Sequence, residues 1–153
     1  MKNNFILERL SGSNFGHFLE LIEKLAEYEK LDPPDKKAKQ RLKKDGLGAN
    51  PKFEAYLAKN NGAYVGYIIF FTTYSSFLGL PTFFLEDLFI STEHRKNGFG
   101  QKMLDFCIKE AKKRKCGRLD LNVLKWNKSA IKFYEKNKME CMDWKIFRLN
   151  LAQ

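Results

Sequence analysis

The sequence of 153 residues has few cysteines and histidines. Its three cysteines, Cys107, Cys116 and Cys141, are odd in number and form no Cys-x-x-Cys pair. This is not the pattern of a disulfide-bonded secreted domain, so we expect reduced thiols and a cytoplasmic location. The two histidines, His17 and His94, are isolated from each other and predict no metal site.

The hydrophobic segments are all short. None approaches the roughly 20 apolar residues that span a bilayer, so no membrane span is predicted. The N-terminal residues MKNNFILERLSG place a charge soon after a short apolar run and contain no Ala-x-Ala-like site, so we expect no signal peptide. No repeat or linker divides the chain, and its length predicts a single domain over residues 1–153.

The net charge is +10, from 28 basic and 18 acidic residues. Such a charge attracts nucleic acid, a membrane surface or a nucleotide-like cofactor, and it does not choose among them. The segment Asp35–Asp45 is nearly all Lys, Gln and Arg, with only Ala38 and Leu42 apolar. We interpret it as a poorly anchored, mobile surface element. Its lysines favour a nucleic-acid-binding module as one alternative, although no RNA-binding or helix-turn-helix motif accompanies them.

A strand, a glycine-containing loop and a helix follow one another over residues 82–111. The aromatic and β-branched run Thr82–Ile90 predicts a buried strand, interrupted by Glu86 and Asp87. A single helical stripe is predicted from Gly100, Met103, Leu104, Cys107, Ile108 and Ala111. Between them lies the loop Arg95–Gly100. Its glycines let the N-terminal amides of the helix approach an anion, and the Arg95 guanidinium can donate two parallel hydrogen bonds. The loop therefore predicts a diphosphate site.

The remaining pattern predicts an α/β fold, that is, a mixed central sheet flanked by helices. Asn61-Gly62 is a hairpin signal, which makes the strands before and after it antiparallel. The helix after Thr82–Ile90 crosses to a parallel strand. The other predicted elements are strand 5–10, helix 15–30, strands 53–59, 64–73 and 118–123, helix 128–137, and a closing β pair of 139–142 and 144–151.

The loop resembles motif A, Arg/Gln-x-x-Gly-x-Gly/Ala, of the GCN5-related N-acetyltransferase (GNAT) superfamily, which holds the pyrophosphate of acetyl-CoA. It lacks the third glycine of a dinucleotide fingerprint and the Gly-Lys-Ser/Thr of a P-loop. Five segments are similar, in order and spacing, to the diamine (spermidine/spermine, thialysine) N-acetyltransferase subfamily: LAEYEKLD, KDGLG, VGYIIFFTTYSSFLG, LEDLFISTEHRKNGFG and KWNKSAIKFYEK. The resemblance implies a GNAT-like single domain, acetyl-CoA as cosubstrate, no metal and a homodimer.

The resemblance also implies residue roles. Glu86 is the candidate base, acting directly or through a water, and Tyr134 would donate a proton to the leaving thiolate. Cofactor binding is implied for Leu88, Phe89, Ile90, Arg95, Lys96, Asn97, Gly98, Phe99, Gly100, Gln101, Asn127, Ser129, Ala130 and Lys136. Substrate binding is implied for Tyr28, Glu29, Glu86, Asp87 and Trp144.

Two departures from the subfamily bear on the acceptor. Ser75 and Phe77 stand where an acidic residue and a tryptophan are usual, and the acidic residue expected just before Trp144 is displaced, since Met142 and Asp143 precede it. A lost carboxylate argues against long polyamines and leaves short diamines, thialysine or another lysine-like amine open.

The expected function is transfer of an acetyl group from acetyl-CoA to a primary amine of such a small acceptor, in a ternary complex. A protein or peptide N-acetyltransferase is an alternative, and it requires segment 35–45 to border an open groove. A catalytically silent CoA binder is disfavoured because Glu86 and Tyr134 are both retained. Neither nucleic acid nor a membrane is expected as a partner.

Overall fold

The computed structural model of the chain describes residues 2–151. Its internal contacts divide the chain into a unit that ends at Leu121 and a unit that begins at Asn122. The single domain over 1–153 therefore stays a prediction, and its outermost residues, 1 and 152–153, lie outside the described part.

Over residues 2–121 the chain forms five strands and three α-helices. The strands are β1 (Phe5–Arg9), β2 (Glu54–Asn60), β3 (Ala63–Ser75), β4 (Leu80–Ile90) and β5 (Arg118–Leu121). The helices are α1 (Phe15–Glu29), α2 (Lys36–Leu47) and α3 (Phe99–Lys113), with a short 3-10 turn at Thr92–His94. The predicted strands and helices of this unit are confirmed in their order, and α2 is an additional helix in the segment interpreted as a mobile surface element.

The strands form one mixed sheet in the order β1-β2-β3-β4-β5. The first four are antiparallel neighbours, and β4 and β5 are parallel. Asn61 and Gly62 both have positive φ, 49° and 87°, as the two-residue turn between β2 and β3 requires. Helix α3 is the crossover that parallel pairing demands. The predicted α/β class, the antiparallel hairpin at Asn61-Gly62 and the parallel pair are confirmed.

Helices cover both faces of this sheet. On one face, Phe18 of α1 meets Tyr67 of β3 edge-on, with ring centroids 5.5 Å apart. Successive strand residues point to opposite faces, so Phe70 lies on the other face. There Phe106 of α3 contacts Tyr56 at 4.8 Å, and Tyr56 stacks towards Phe70. The large aromatic content of the sequence thus forms two apolar layers, one on each side of the sheet.

The pairing of β3 with β4 shifts by one residue at Glu86. Ile69 pairs with Asp87, whereas Phe70 pairs with Leu85, so Glu86 is left without a partner in β3. This is a β-bulge, in which one extra residue is inserted into one strand. Strict alternation would put Leu85 and Asp87 on the same face, but the bulge puts them on opposite faces. Leu85 joins the α3 side and Asp87 joins the α1 side.

Segment 35–45 forms most of a helix at the surface. It lies in helix α2, where the Asp35 side chain accepts a hydrogen bond from the Ala38 N–H at 2.7 Å. Leu42 and Leu47 are half-buried and pack against the core cluster beneath α1. No residue of α2 is buried, so the expectation of a poorly anchored, mobile element stays a prediction.

The second unit contains helix α4 (Lys128–Lys136), close to the predicted 128–137, and its N-cap is Asn127. The Asn127 side chain accepts a hydrogen bond from the Ala130 N–H at 3.3 Å. The predicted closing β pair is wrong, since residues 139–151 form no strand. Apolar side chains in that segment are exposed, namely Met142, Trp144, Ile146, Phe147, Leu149 and Leu151. Among residues 2–151, no helix is long and apolar enough to cross a membrane.

Candidate functional site

The candidate site is built around the second half of β4. Strand β5 pairs with β4 only over Thr82–Leu85, whereas β3 follows β4 as far as Ile90. Within the unit that ends at Leu121, no strand pairs with the other edge of Glu86–Ile90. The backbone amides of this edge can therefore bind an extended ligand, as an added strand would.

Three carboxylates gather where the β5 pairing stops. Glu86 is exposed at the bulge, Asp87 beside it is half-buried, and Glu29 ends helix α1. Burial raises the pKa of Glu29 above its usual range. Burial also raises the pKa of Asp87 to about 6, and the charges of Glu86 and Glu29 add to this effect. The structure thus concentrates negative charge in a protein whose net charge is +10.

Within residues 2–121 these carboxylates have no basic partner. None of the ion pairs in that part of the chain involves Glu29, Glu86 or Asp87. By contrast, the half-buried Glu54 is paired with Arg114. Unpaired carboxylates that are partly withdrawn from water favour the binding of a cation. An amine in its ammonium form meets this requirement.

Asp87 accepts one hydrogen bond from a buried tyrosine. The Tyr67 hydroxyl donates to Oδ2 of Asp87 at 3.0 Å. Burial, reinforced by the nearby carboxylates, raises the pKa of Tyr67 well above its usual range, so the phenol keeps its proton. This hydrogen bond favours the ionised form of Asp87 and works against the effect of burial.

The loop after β4 opens directly onto helix α3. Gly98 is the N-cap residue and has a φ of 76°, and Lys96 before it also has a positive φ of 64°. Glycine takes this left-handed conformation without the Cβ clash that other residues suffer. The first hydrogen bond of helical spacing runs from Lys102 N–H to the Gly98 carbonyl. The amides before it point out of the helix end, where the dipole is positive, so the loop fits an anionic diphosphate.

Arg95 connects this loop to helix α1. Its Nε donates to the Ile90 carbonyl at 3.0 Å, and its guanidinium carbon lies 4.2 Å from the centre of the Tyr28 ring. A guanidinium stacked on an aromatic ring is held by cation–π attraction, worth about 0.5–2 kcal/mol. Tyr28 immediately precedes Glu29. The candidate diphosphate loop and the carboxylate cluster are therefore neighbours.

Two of the predicted loop residues have structural roles for their side chains. Phe99 is buried and stacks on Phe5, with centroids 4.8 Å apart, so only its backbone can reach a ligand. The Asn97 side chain donates to the carbonyls of His94 and Arg95, which holds the loop together. Leu88, Phe89 and Ile90 lie on β4, and Phe89 and Ile90 are buried. Phe89 and Ile90 can therefore contribute only backbone groups, whereas the Leu88 side chain is half-buried.

The other predicted site residues lie in the unit that begins at Asn122. Tyr134 is half-buried in α4 and meets Phe133 edge-on at 5.1 Å. Trp144 lies in the segment without strands and is 80% exposed. The assignment of this unit's residues to the site stays a prediction: Asn127, Ser129, Ala130, Tyr134, Lys136 and Trp144. Within residues 2–151, no group of His, Cys, Asp and Glu is arranged to hold a metal ion.

Tyr67 is the residue at this site that sequence analysis misses. In the sequence it is one aromatic residue in a strand of aromatic and aliphatic residues. One signal was available: a tyrosine at the centre of a buried strand needs a hydrogen-bond partner for its hydroxyl. The partner depends on which residue of β4 lies opposite, and this pairing is not encoded locally.

Comparison with known proteins assigns the family. The family model described as "Acetyltransferase (GNAT) family" matches residues 18–139. The chain belongs to the GNAT acetyltransferase family. It is 32% identical over 145 residues to a thialysine N-epsilon-acetyltransferase of Sus scrofa, covering 87% of this chain and 85% of that protein.

Two further comparisons extend this result for the GNAT acetyltransferase. It is 36% identical over 91 residues to an L-ornithine N5-acetyltransferase of Arabidopsis thaliana, covering 59% of this chain and 40% of that protein. An aminoglycoside N-acetyltransferase solved in complex with CoA has the same fold, with a TM-score of 0.78 at 16% identity and coverage of 99% and 98% of the two chains. The predicted superfamily, the resemblance to the diamine acetyltransferase subfamily, and the prediction of an acyltransferase enzyme are confirmed.

The buried charge of Asp87 should destabilise the folded GNAT acetyltransferase near neutral pH. The pKa of Asp87 is about 6 in the folded state against 3.8 ordinarily, so the folded state binds this proton more tightly than the unfolded state. Stability is therefore lost as the pH rises from about 4 to about 6 and stays lower above that. We expect Asp87→Asn to raise the free energy of unfolding at pH 7.5 by up to about 3 kcal/mol, and to have little effect near pH 4.

Urea unfolding at both pH values measures this effect. Asp32→Asn, which changes an exposed carboxylate in the loop after α1, is the matched control and should leave both values nearly unchanged. A less stable Asp87→Asn protein at pH 7.5 would contradict the assignment.

Proposed function

We propose that this protein transfers the acetyl group of acetyl-CoA to a primary amine of a small diamine or lysine-like acceptor. The observation that carries the proposal is the cluster of Glu29, Glu86 and Asp87, which has no ion-pair partner within its unit and lies beside the α3 loop. The cluster suits a cationic acceptor, and the loop suits the anionic cosubstrate. The thialysine and ornithine acetyltransferase relatives support the same acceptor class.

The residues around the loop fit acetyl-CoA. The backbone amides of Gly98, Phe99 and Gly100 would bind the pyrophosphate at the α3 N-terminus. The amides of Leu88 to Ile90, on the strand edge that β5 leaves uncovered, would bind the pantetheine arm and polarise the thioester carbonyl. When bound, the cosubstrate supplies an activated acyl group. The protein would hold that acyl group beside Glu86.

Substitution of Gly98 tests the loop. Gly98→Ala adds a methyl group where φ is 76°. Apart from the adjacent residues, no atom of residues 2–151 lies within 4 Å of this position, so the added strain acts on the loop itself. The left-handed conformation penalises alanine by about 1–2 kcal/mol. We expect the affinity for acetyl-CoA, measured by titration calorimetry, to fall by roughly tenfold or more.

Gly62→Ala is the matched control. Gly62 has a φ of 87° and equally open surroundings, but it lies in the hairpin between β2 and β3. It should lower stability without weakening acetyl-CoA binding. Equal losses of affinity in the two variants would remove the loop from the cosubstrate site, and no binding by the unmodified protein would reject the proposal itself.

Catalysis requires that the amine lose its proton. A primary amine with a pKa near 10.4 is protonated at pH 7, and reaching its neutral form costs about 4.6 kcal/mol. Glu86 is exposed at the bulge beside Asp87, so it can accept that proton directly or through a water. Asp87 and Glu29 would hold the ammonium group in place before this transfer. The neutral amine would then attack the thioester carbonyl, and the departing thiolate would take a proton from Tyr134. The second proton lost by the acceptor nitrogen would pass through solvent and restore the tyrosine.

The role of Tyr134 predicts a separation of kinetic effects. Tyr134→Phe keeps the ring but removes the proton donor, so we expect kcat to fall by about a hundredfold, with a much smaller change in the KM for acetyl-CoA. Tyr64→Phe removes a hydroxyl that donates to Glu8, away from the carboxylate cluster, and serves as the control. Steady-state kinetics with CoA release as the signal measures both. Unchanged turnover in Tyr134→Phe would exclude the residue as the proton donor.

Acceptor length should be limited by the hairpin between β3 and β4. Ser75, which stands where the subfamily usually has a carboxylate, is buried and accepts a hydrogen bond from the Leu78 N–H at 3.1 Å. It therefore closes the turn and offers no charge to a second ammonium group. Phe77 at the tip is 99% exposed. The carboxylate cluster is then the main cation site, which favours short acceptors.

A panel of acceptors tests this specificity. We expect kcat/KM for thialysine, ornithine, lysine and short diamines to exceed that for spermidine and spermine by about tenfold, the usual effect of one charge-assisted hydrogen bond. Ser75→Asp should reduce the difference in kcat/KM between the short acceptors and the long polyamines. Ser76→Asp, at an exposed neighbouring position, is the control. Activity confined to peptide N-termini would reject the small-amine acceptor and favour the peptide N-acetyltransferase.

Two further expectations belong to the same proposal. A homodimer is supported by residues 142–151, where several apolar side chains are exposed and form no strand within the described chain. A cytoplasmic location agrees with three free cysteines, of which Cys107 is buried.

Nucleic-acid binding by the basic residues of α2 is not favoured, because membership in an acetyltransferase family accounts for the site without it.

A further inference from the structure

Tyr67 occupies a fixed position between α1 and β4. Its side chain is fully buried, meeting the Phe18 ring edge-on at 5.5 Å and the Phe89 ring at 6.2 Å. The backbone beside it is equally constrained, since a Cβ on Gly66 would lie 2.2 Å from the Phe89 carbonyl oxygen. A rigid aromatic ring therefore presents its hydroxyl at one point, and Oδ2 of Asp87 lies 3.0 Å from it.

The hydrogen bond from Tyr67 opposes the other effects of the surroundings on the charge of Asp87. The acidic groups that face Asp87 are Glu86 on its own strand and Glu29 from α1, and both disfavour its charge. The Tyr67 hydroxyl, from β3, acts in the opposite direction. Without that donor, Asp87 would hold its proton to higher pH and its carboxyl group could rotate. A neutral, rotating carboxyl group would be a poor partner for an ammonium ion.

We propose that Tyr67 is a positioning residue for the acceptor amine: its hydroxyl holds one oxygen of Asp87, which keeps the carboxylate charged and its second oxygen directed at the ammonium group. Tyr67 does not touch the acceptor in this arrangement. It acts through Asp87, and its effect is confined to amine binding. This inference rests on the proposed function, because it needs an amine acceptor at the carboxylate cluster.

Tyr67→Phe tests the proposal with little change in packing, because the ring that contacts Phe18 and Phe89 is retained. Loss of a hydrogen bond to a charged group should raise the pKa of Asp87 by about one unit. We expect the KM for the amine to rise about fivefold at pH 6 and about twofold at pH 7, because the charged fraction of Asp87 falls by these factors. The KM for acetyl-CoA should stay unchanged, and the defect in amine binding should shrink above about pH 8 as Asp87 ionises.

Two comparisons separate positioning from a general structural effect. Tyr64→Phe removes a hydroxyl that donates to another carboxylate, that of Glu8, and should leave the pH profile of amine binding unchanged. In the Asp87→Asn background, Tyr67→Phe should have no further effect on the KM for the amine, since the residue through which it acts has already been changed. Additive effects in the double variant would overturn the proposal.

A direct titration keeps this test independent of catalysis. Carboxyl carbon NMR of the free protein, with the Asp87 signal assigned by its loss in Asp87→Asn, reports the pKa of Asp87 in wild type and in Tyr67→Phe. An unchanged pKa would overturn the proposal, as would a raised pKa with an unchanged KM for the amine. If no amine accepted an acetyl group, the proposed function would fail, while the titration would still show whether Tyr67 controls the charge of Asp87.

Discussion

The register shift at Glu86 is the constraint on which the candidate site depends. Strict alternation along β4 would place Leu85 on the same face as Asp87 and would turn Glu86 towards the apolar layer beneath α3. The extra residue of the bulge resolves both conflicts, because Leu85 enters that layer while Asp87 turns towards α1. Glu86 is left exposed. Two adjacent carboxylates thus become accessible at the point where β5 stops pairing with β4, and a strand that is otherwise buried acquires a polar site.

The site has an electrostatic character opposite to that of the whole protein. Net charge of +10 draws anions, yet Glu29, Glu86 and Asp87 form a local region suited to a cation. The fold achieves this over a short stretch of chain, because only ten residues separate Asp87 from Gly98, the N-cap of α3. Arg95 lies between the two regions. Its guanidinium stacks on Tyr28 and its Nε binds a backbone carbonyl, and it forms no ion pair with the carboxylates within residues 2–121.

The sequence predicts those features that depend on neighbouring residues. Asn61-Gly62 specifies its turn, the stripe from Gly100 to Ala111 specifies α3, and the loop between Arg95 and Gly100 lies where it was expected. Features set by distant pairing were missed. The bulge and the Tyr67–Asp87 hydrogen bond depend on which residues of β3 and β4 face each other, and two apolar strands can pair in several registers. The closing β pair failed for a related reason, since alternating apolar residues after Met139 describe a segment that can pair, but do not supply a partner.

In the proposed function, the hydrogen bond from Tyr67 would let a half-buried aspartate keep its charge for a cationic acceptor. Burial alone would leave Asp87 largely protonated in mildly acidic solution, and adjacent carboxylates would extend that range upward. A lysine beside it would restore the charge, but it would also occupy the place of the substrate. A tyrosine hydroxyl stabilises the carboxylate without bringing a positive charge, so the negative charge remains available to an incoming amine. The apolar ring that carries this hydroxyl belongs to the core beneath α1, and the packing of that core therefore bears directly on the chemistry of the site.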